Sequence, residues 1–223
     1  MKAMILAAGR GERMGELTQN IPKPLINVGN TTLLEHNLCR IKDAGINDVV
    51  INISWLGKKI SDYLENLDLD LNLTILDESN KMLGTGGGIK NALPYLGSDP
   101  FYLVNADVYS DYKIDIAKCL LPNTLGHLVL VSNPKHHVRG DFCLNDGFLS
   151  VDVVPRPHTF SGISLLSPNL LDKYIDDIFP LEPVLEKAAS KGHLTGEVYN
   201  GLWIDVGNLE RLNRVEVINN NPK

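Results

Sequence analysis

The sequence predicts an α/β protein built on a Rossmann-like, mixed but mainly parallel sheet flanked by helices. Three observations carry that expectation. The chain opens on an apolar run, residues 3–8, that stops at Gly9-Arg10-Gly11, as a buried strand does when it delivers its end to a ligand loop. Short apolar runs then alternate with amphipathic patterns, and such alternation builds parallel pairs joined by right-handed crossovers. A later apolar run, residues 101–104, ends in Asn105-Ala106-Asp107. That puts a carboxylate at the carboxyl end of a buried strand, the edge where open α/β sheets hold ligands.

The loop after the first strand comes first. Gly9 and Gly11 lack Cβ atoms, so a ligand can approach the backbone N–H groups around them. Arg13 offers a planar fork for phosphate oxygens, and Lys23, set between Pro22 and Pro24, a compact point charge. Neither standard glycine loop matches: no run has Walker spacing, and Met14 stands at the third glycine of the dinucleotide fingerprint. On these residues alone, a polyphosphate cradle and a plain glycine turn with solvated cations both stay open.

Residues 25–28 and a Gly-Asn turn lead to Thr31-Thr32 and a helix with Leu33, Leu34, Leu38 and Ile41 on its apolar face, stopped by Gly45. Residues 48–53 (DVVINI) read as a second buried strand, 56–64 as a short helix and 71–76 as a third strand. Gly84-Thr85-Gly86-Gly87-Gly88 then opens a helix running towards Leu93. Consecutive glycines disfavour a helix, so they imply close backbone approach, to a base or to another strand, or else a tight, closely packed turn. Asp107, taken alone, reads equally as a turn cap or as a hard oxygen ligand for Mg²⁺.

In the second half, 128–131 reads as a strand, 143–144 and 149–153 as a hairpin about Asn145-Asp146-Gly147, and 160–166 as a strand carrying Gly162. A short helix starts at Pro168, and 179–191 reads as a helix with proline in its first turns, closed by Gly192. His136 and His137 are adjacent, so their side chains diverge, and no third ligand stands at metal spacing; they read as surface residues, not as a zinc site. Asp205 caps or precedes a last helix starting near Asn208, and residues 219–223 are expected to fray.

At 223 residues and a formal charge of −6, the chain suits one domain with a substantial core and not a nucleic-acid or membrane-surface partner. Cys39, Cys119 and Cys143 are an odd number without paired spacing, as in a reducing cytosol. No apolar run approaches the ~20 residues of a membrane helix, and the start lacks the pattern of a signal peptide. The expectation is a cytoplasmic monomer or small homo-oligomer.

The run LAAGRGERM, followed by Leu17-Thr18 and Pro22-Lys23-Pro24-Leu25, resembles the signature of the sugar-1-phosphate nucleotidylyltransferases, and the likeness extends to about Val217. It implies the nucleotide-diphospho-sugar transferase type of fold. The single domain, 1–223, would have a nucleotide-binding half, about 1–110, and a smaller sugar-facing β region within 111–223. The resemblance implies nucleotide contacts from Ala8, Gly9, Gly11, Arg13, Lys23, Gly84, Thr85, Gly86 and Asn105. Lys23 would be catalytic at the α-phosphate and Arg13 at the leaving pyrophosphate. It also implies Mg²⁺ as cofactor, held by Asp107 and by Asp205 of the Trp-x-Asp-x-Gly run.

The family's Glu-Lys-Pro for the sugar phosphate is absent. By the resemblance, Arg156 of Pro155-Arg156-Pro157 would take its place, with Arg139 as a competing candidate and Gly162 beside the sugar. Two further departures are Gly15-Glu16, where the family often has a basic residue and proline, and Ala106 in place of glycine. NISWLG, GTGGGI, NPKHHVRGDF and TFSGIS resemble the branch that joins UTP to N-acetylmuramate 1-phosphate in cell-wall recycling. The implied partners are a nucleoside triphosphate and a sugar 1-phosphate. The rivals are guanylyl transfer to mannose or heptose 1-phosphate, a nucleotide-dependent oxidoreductase, and a non-catalytic module that binds nucleotide sugars.

Overall fold

A computed structural model describes residues 1–220. The elements in chain order are β1 (Lys2–Leu6), α1 (Leu17–Asn20), β2 (Asn27–Val28), β3 (Thr31–Thr32), α2 (Leu33–Asp43), β4 (Asp48–Ile53), α3 (Gly57–Glu65), β5 (Asn72–Asp77), α4 (Gly84–Leu96), β6 (Phe101–Asn105) and β7 (Val108–Ser110). There follow β8 (Gly126–Ser132), β9 (Cys143–Asn145), β10 (Phe148–Ser150), β11 (His158–Leu166), α5 (Glu182–Ala189), β12 (Leu194–Val198), β13 (Trp203–Asp205) and α6 (Leu209–Asn220).

Nine strands form one sheet in the order β5-β4-β1-β6-β11-β8-β12-β10-β9. The first four are parallel, joined by the crossovers that the alternation of patterns predicts. β11 runs antiparallel to both β6 and β8, and β12 runs parallel to β8, so the second half extends the same sheet with mixed pairing. Residues alternate between two cores: Ala3, Ile5 and Val104 face one, Met4 and Leu103 the other. A third, smaller core gathers Met14, Ile26, Leu33, Ile204, Val206, Leu212 and Val215. It pins the first glycine loop to the last helix. Met14, at the position where the dinucleotide fingerprint wants glycine, is the loop's apolar anchor.

Local chemistry explains the boundaries. α2 starts where the Thr32 hydroxyl accepts the Glu35 N–H at 3.1 Å, with the acidic residue in the first turn. β1 ends at Leu6 rather than Ala8: the Ala7 N–H makes its last bond to β4, shared between the Asn52 carbonyl (3.2 Å) and side-chain oxygen (3.0 Å). α4 continues through Pro94 to Leu96, beyond the expected Leu93. α5 begins at Glu182, not at 179, because the Phe179 backbone is engaged elsewhere: its N–H donates to the Leu83 carbonyl and its carbonyl accepts from Gly86 and Gly87. β10 stops at Ser150 instead of 153. β7, β12 and β13 go beyond the sequence expectation, and Asn219 and Asn220 belong to α6 rather than to a frayed end; 221–223 lie outside the described residues.

The glycines of α4 are explained by this same contact. A Cβ at Gly84 would come 2.8 Å from the Phe179 carbonyl oxygen, one at Gly86 would strike the Phe179 ring, and one at Gly87 the Asp177 carbonyl oxygen. The close approach anticipated from the sequence is therefore made by residues 177–179, which belong to no strand, and not by a neighbouring strand. Gly87→Ala forces backbone apart, and overpacking of this kind costs about 2–3 kcal/mol, or roughly 4–12 °C in Tm for a chain of this size. Thermal unfolding within about 1 °C of the parent would contradict that contact.

Candidate active site

The carboxyl ends of β1, β4 and β6 open into a cleft of about 550 Å³. Its walls include Ala8, Gly9, Gly11, Arg13, Lys23, Gly84, Thr85, Asn105 and Asp107, all singled out in the sequence. Nothing lies within 4 Å of where a Cβ on Gly9 would be, so that face is open to the cleft. Gly11 has another task. Its φ is +67°, and a Cβ there would come 3.1 Å from both the Lys23 Cβ and the Thr18 Cγ2. The missing side chain makes room for the lysine.

Lys23 follows Pro22, whose extended backbone leads into a single tight turn over Lys23–Leu25. The side chain is 11 % exposed, and its Nζ lies 2.5 Å from Asp107 Oδ2. Asp107 comes directly after β6 and Ala106, whose added methyl is accommodated: Ala106 is buried and donates its N–H to the Leu6 carbonyl. Glu16 is exposed and lies outside the cleft wall, so its carboxylate does not oppose a bound anion there.

Asp205 arrives from far along the chain on β13. It pairs opposite Val108 of β7, and the Val206 N–H donates to the Asp107 carbonyl at 2.8 Å. This two-stranded ribbon puts the two aspartates one register step apart. Asp205 Oδ2 accepts from Arg211 at 2.5 Å and lies 3.3 Å from His136 Nε2, while Asp205 Oδ1 is buried without a hydrogen-bond partner. Arg211 rests where a Cβ on Gly207 would be, and Gly207 is part of the cleft wall.

Asn52 and Glu78 also line the cleft and were missed in the sequence. Asn52 Nδ2 donates to Glu78 Oε1 at 3.1 Å, and a Cβ on Gly88 would come within 2.6 Å of that nitrogen. Burial pushes the Glu78 carboxyl pKa up, opposed by hydrogen bonds from Asn52, Asn91 and the Leu83 N–H. Asn52 did leave a signal: it is the one amide inside an apolar strand buried on both faces, and such a group needs partners.

Four expected contacts are placed differently. Gly86 does not line the cleft, since its N–H and the space beside it belong to Phe179. Arg156 is 12 % exposed and clamps loop to helix, donating to Glu186 at 2.5 Å and to the Asp141 and Val151 carbonyls. Arg139 is exposed and lines neither hollow. Gly162, at φ +80°, sits in the β11 bulge, where a Cβ would come 2.8 Å from the Asn105 side chain, and it lines neither hollow. The adjacent histidines diverge as expected: His136 reaches Asp205, and His137 lies 2.7 Å from Asp141.

A smaller hollow of about 190 Å³ adjoins the cleft and shares Leu6, Thr85 and Asn105 with it. Phe142, Phe160, Leu181 and Leu185 give it an apolar floor, and Asp141, Glu182 and Glu186 an acidic rim. Among the described residues no three acidic, histidine or cysteine side chains form a metal cluster, and no helix is long and apolar enough to cross a membrane.

Comparison with known proteins places the chain as a whole. The family model of the MobA-like NTP transferase domain matches residues 3–113. The chain is 39 % identical to the N-acetylmuramate alpha-1-phosphate uridylyltransferase of Neisseria meningitidis serogroup B, over 98 % of each chain. It is 30 % identical to the enzyme of the same name from Caulobacter vibrioides, over 92 % of this chain and 91 % of the other. Among solved structures, HddC from Yersinia pseudotuberculosis, complexed with GMP-PN, shares the fold with a TM-score of 0.81 at 23 % identity, over 97 % of this chain and 98 % of that one.

Proposed function

The chain belongs to the sugar-1-phosphate nucleotidylyltransferases, and from that premise we propose that it transfers a uridylyl group from UTP to N-acetylmuramate 1-phosphate in cell-wall recycling. The observation that carries the choice of substrates is the end-to-end match, at 39 % identity, to a uridylyltransferase of that specificity. The proposed site of action is the cytoplasm.

The larger cleft takes the nucleotide. Its triphosphate lies over Gly9 and Gly11, with Arg13 on the β- and γ-phosphates and Lys23 at the α-phosphate. The base lies towards Gly84, Thr85 and Glu78, whose carboxylate oxygens suit a ring N–H donor, as uracil and guanine offer and cytosine and adenine do not. The smaller hollow takes the sugar. Sugar hydroxyl and acetamide N–H protons have acceptors in Asp141, Glu182 and Glu186 on its rim.

A phosphate oxygen of the sugar attacks the α-phosphorus in line, and the bond to the bridging oxygen of the departing pyrophosphate breaks. The nucleophile is an anion at neutral pH, so no general base is required. The protein's work is to screen two anions from each other and align them. Lys23 stabilises charge developing at the α-phosphate; Arg13 and the loop N–H groups hold the leaving group. Asp107, in the turn before β7, and Asp205, on the adjoining β13 just outside the cleft wall, fit a hard divalent cation: both supply oxygen, and Asp205 Oδ1 is an orphaned buried acceptor. Mg²⁺ bound there, completed by substrate phosphates, would supply charge neutralisation at the reacting phosphate.

A panel of nucleoside triphosphates against sugar 1-phosphates, scored by pyrophosphate release, tests the reading. UTP with N-acetylmuramate 1-phosphate should lead. Productive turnover confined to GTP with mannose or heptose 1-phosphate would overturn the specificity, and binding of nucleotide sugar without any turnover would make the chain a regulatory module.

A further inference from the structure

We propose that Trp55 is a positioning residue for the phosphate loop, a platform whose ring face holds the Arg10 guanidinium while the N–H edge of that group points to bound phosphate. The proposal rests on the reading that a triphosphate lies over Gly9 and Gly11.

Trp55 stands just beyond β4, at the ligand edge of the sheet. The next residue, Leu56, has φ +52°, a conformation that bulky side chains rarely adopt. Strained backbone of this kind persists where surrounding structure demands it, often at functional sites. Here Trp55 meets the first loop. Its indole N–H donates to the Thr18 carbonyl at 3.0 Å, and the Thr18 hydroxyl in turn donates to the carbonyls of Gly11 (3.0 Å) and Gly15 (3.3 Å). One aromatic side chain therefore ties together both glycine turns of the loop.

The same ring carries Arg10 Cζ 5.6 Å from its centroid. Arg10 lines the cleft, yet its side chain is 54 % exposed, and its ion-pair neighbour is Glu12 at a loose 3.9 Å. An arginine so exposed would otherwise spread over many rotamers. Stacking uses the face of the guanidinium and leaves its edge donors free, so the ring contact and phosphate binding are compatible and reinforce each other. Trp55 is not part of the cleft wall itself; it acts through Arg10.

The test is a double-mutant cycle read in KM for UTP, kcat and the Kd of inorganic pyrophosphate by calorimetry. Trp55→Leu should raise KM and Kd roughly three- to fivefold, the range of an exposed cation–ring contact, with kcat within about twofold. Trp55→Gln, which keeps an N–H donor for Thr18 but no ring, should match that loss, and Trp55→Phe, which keeps the ring, should stay near the parent. In an Arg10→Ala background, Trp55→Leu should have no further effect. Additive losses in the cycle, or a fall in kcat and Tm at constant KM, would overturn the proposal by reducing Trp55 to a support of the fold. An unaltered protein that neither binds pyrophosphate nor turns over UTP would instead defeat the nucleotide reading, and this inference with it.

Discussion

Lys23→Met lowers kcat about a hundredfold or more, because removing one well-aimed donor from a reacting centre typically costs roughly 2.7–4 kcal/mol of barrier. Methionine is the informative replacement. It preserves the aliphatic stem that packs into the space left by Gly11 and against Thr18, and deletes only the charge. The backbone is held by the flanking prolines and the turn at Lys23–Leu25, so the fold has little reason to respond. Pyrophosphate release in single turnover should show the loss while Tm stays close to that of the parent. A variant with near-parental turnover would remove Lys23 from the reacting centre; a collapse of Tm would make the residue a structural counterion of Asp107.

Asp107→Asn and Asp205→Asn should each abolish divalent-cation binding and reduce turnover by a comparable factor, about a hundredfold or more. The two carboxylates are 29 % and 24 % exposed, so neutral replacements of the same shape should leave the folded state intact. Calorimetric or electron-spin-resonance titration with Mn²⁺, in the presence of a non-hydrolysable nucleotide, reads the metal directly. Parental Mn²⁺ affinity in both variants would refute the assignment. Retained affinity in Asp107→Asn alone, with turnover lost, would recast Asp107 as the residue that aims Lys23.

The nucleotide half was legible because its signals are local. β1, β4 and β6 are apolar runs, α2 announces itself with Thr32 and Glu35, and Gly9 to Lys23 lie within one short stretch. Reading further required distances that a sequence does not hold. The glycines of α4 disclosed a close approach but not the approaching body, which turned out to be Asp177 and Phe179. β12 was hidden because Leu194-Thr195-Gly196-Glu197-Val198 lacks the apolar density of a central strand, and β13 because three residues make no period. Arg156 was misplaced for a related reason. Its type suits a phosphate, yet its partners Glu186, Asp141 and Val151 come from other segments and had already engaged it. Arg211, held against Asp205, lies in a helix whose sequence gives no hint of the ribbon beside it.

The strap formed by Asp177, Phe179 and Leu181 has a consequence for retargeting the catalyst. Phe179 caps the amides of Gly86 and Gly87, and the Leu181 N–H donates to the Thr85 hydroxyl at 2.8 Å, directly before α5 supplies Glu182 and Glu186. The larger cleft, proposed for the nucleotide, and the smaller hollow, proposed for the sugar, thus meet at one seam. A sugar-recognition segment grafted from a homologue is therefore expected to need residues 84–88 and 177–186 moved together as a single cassette.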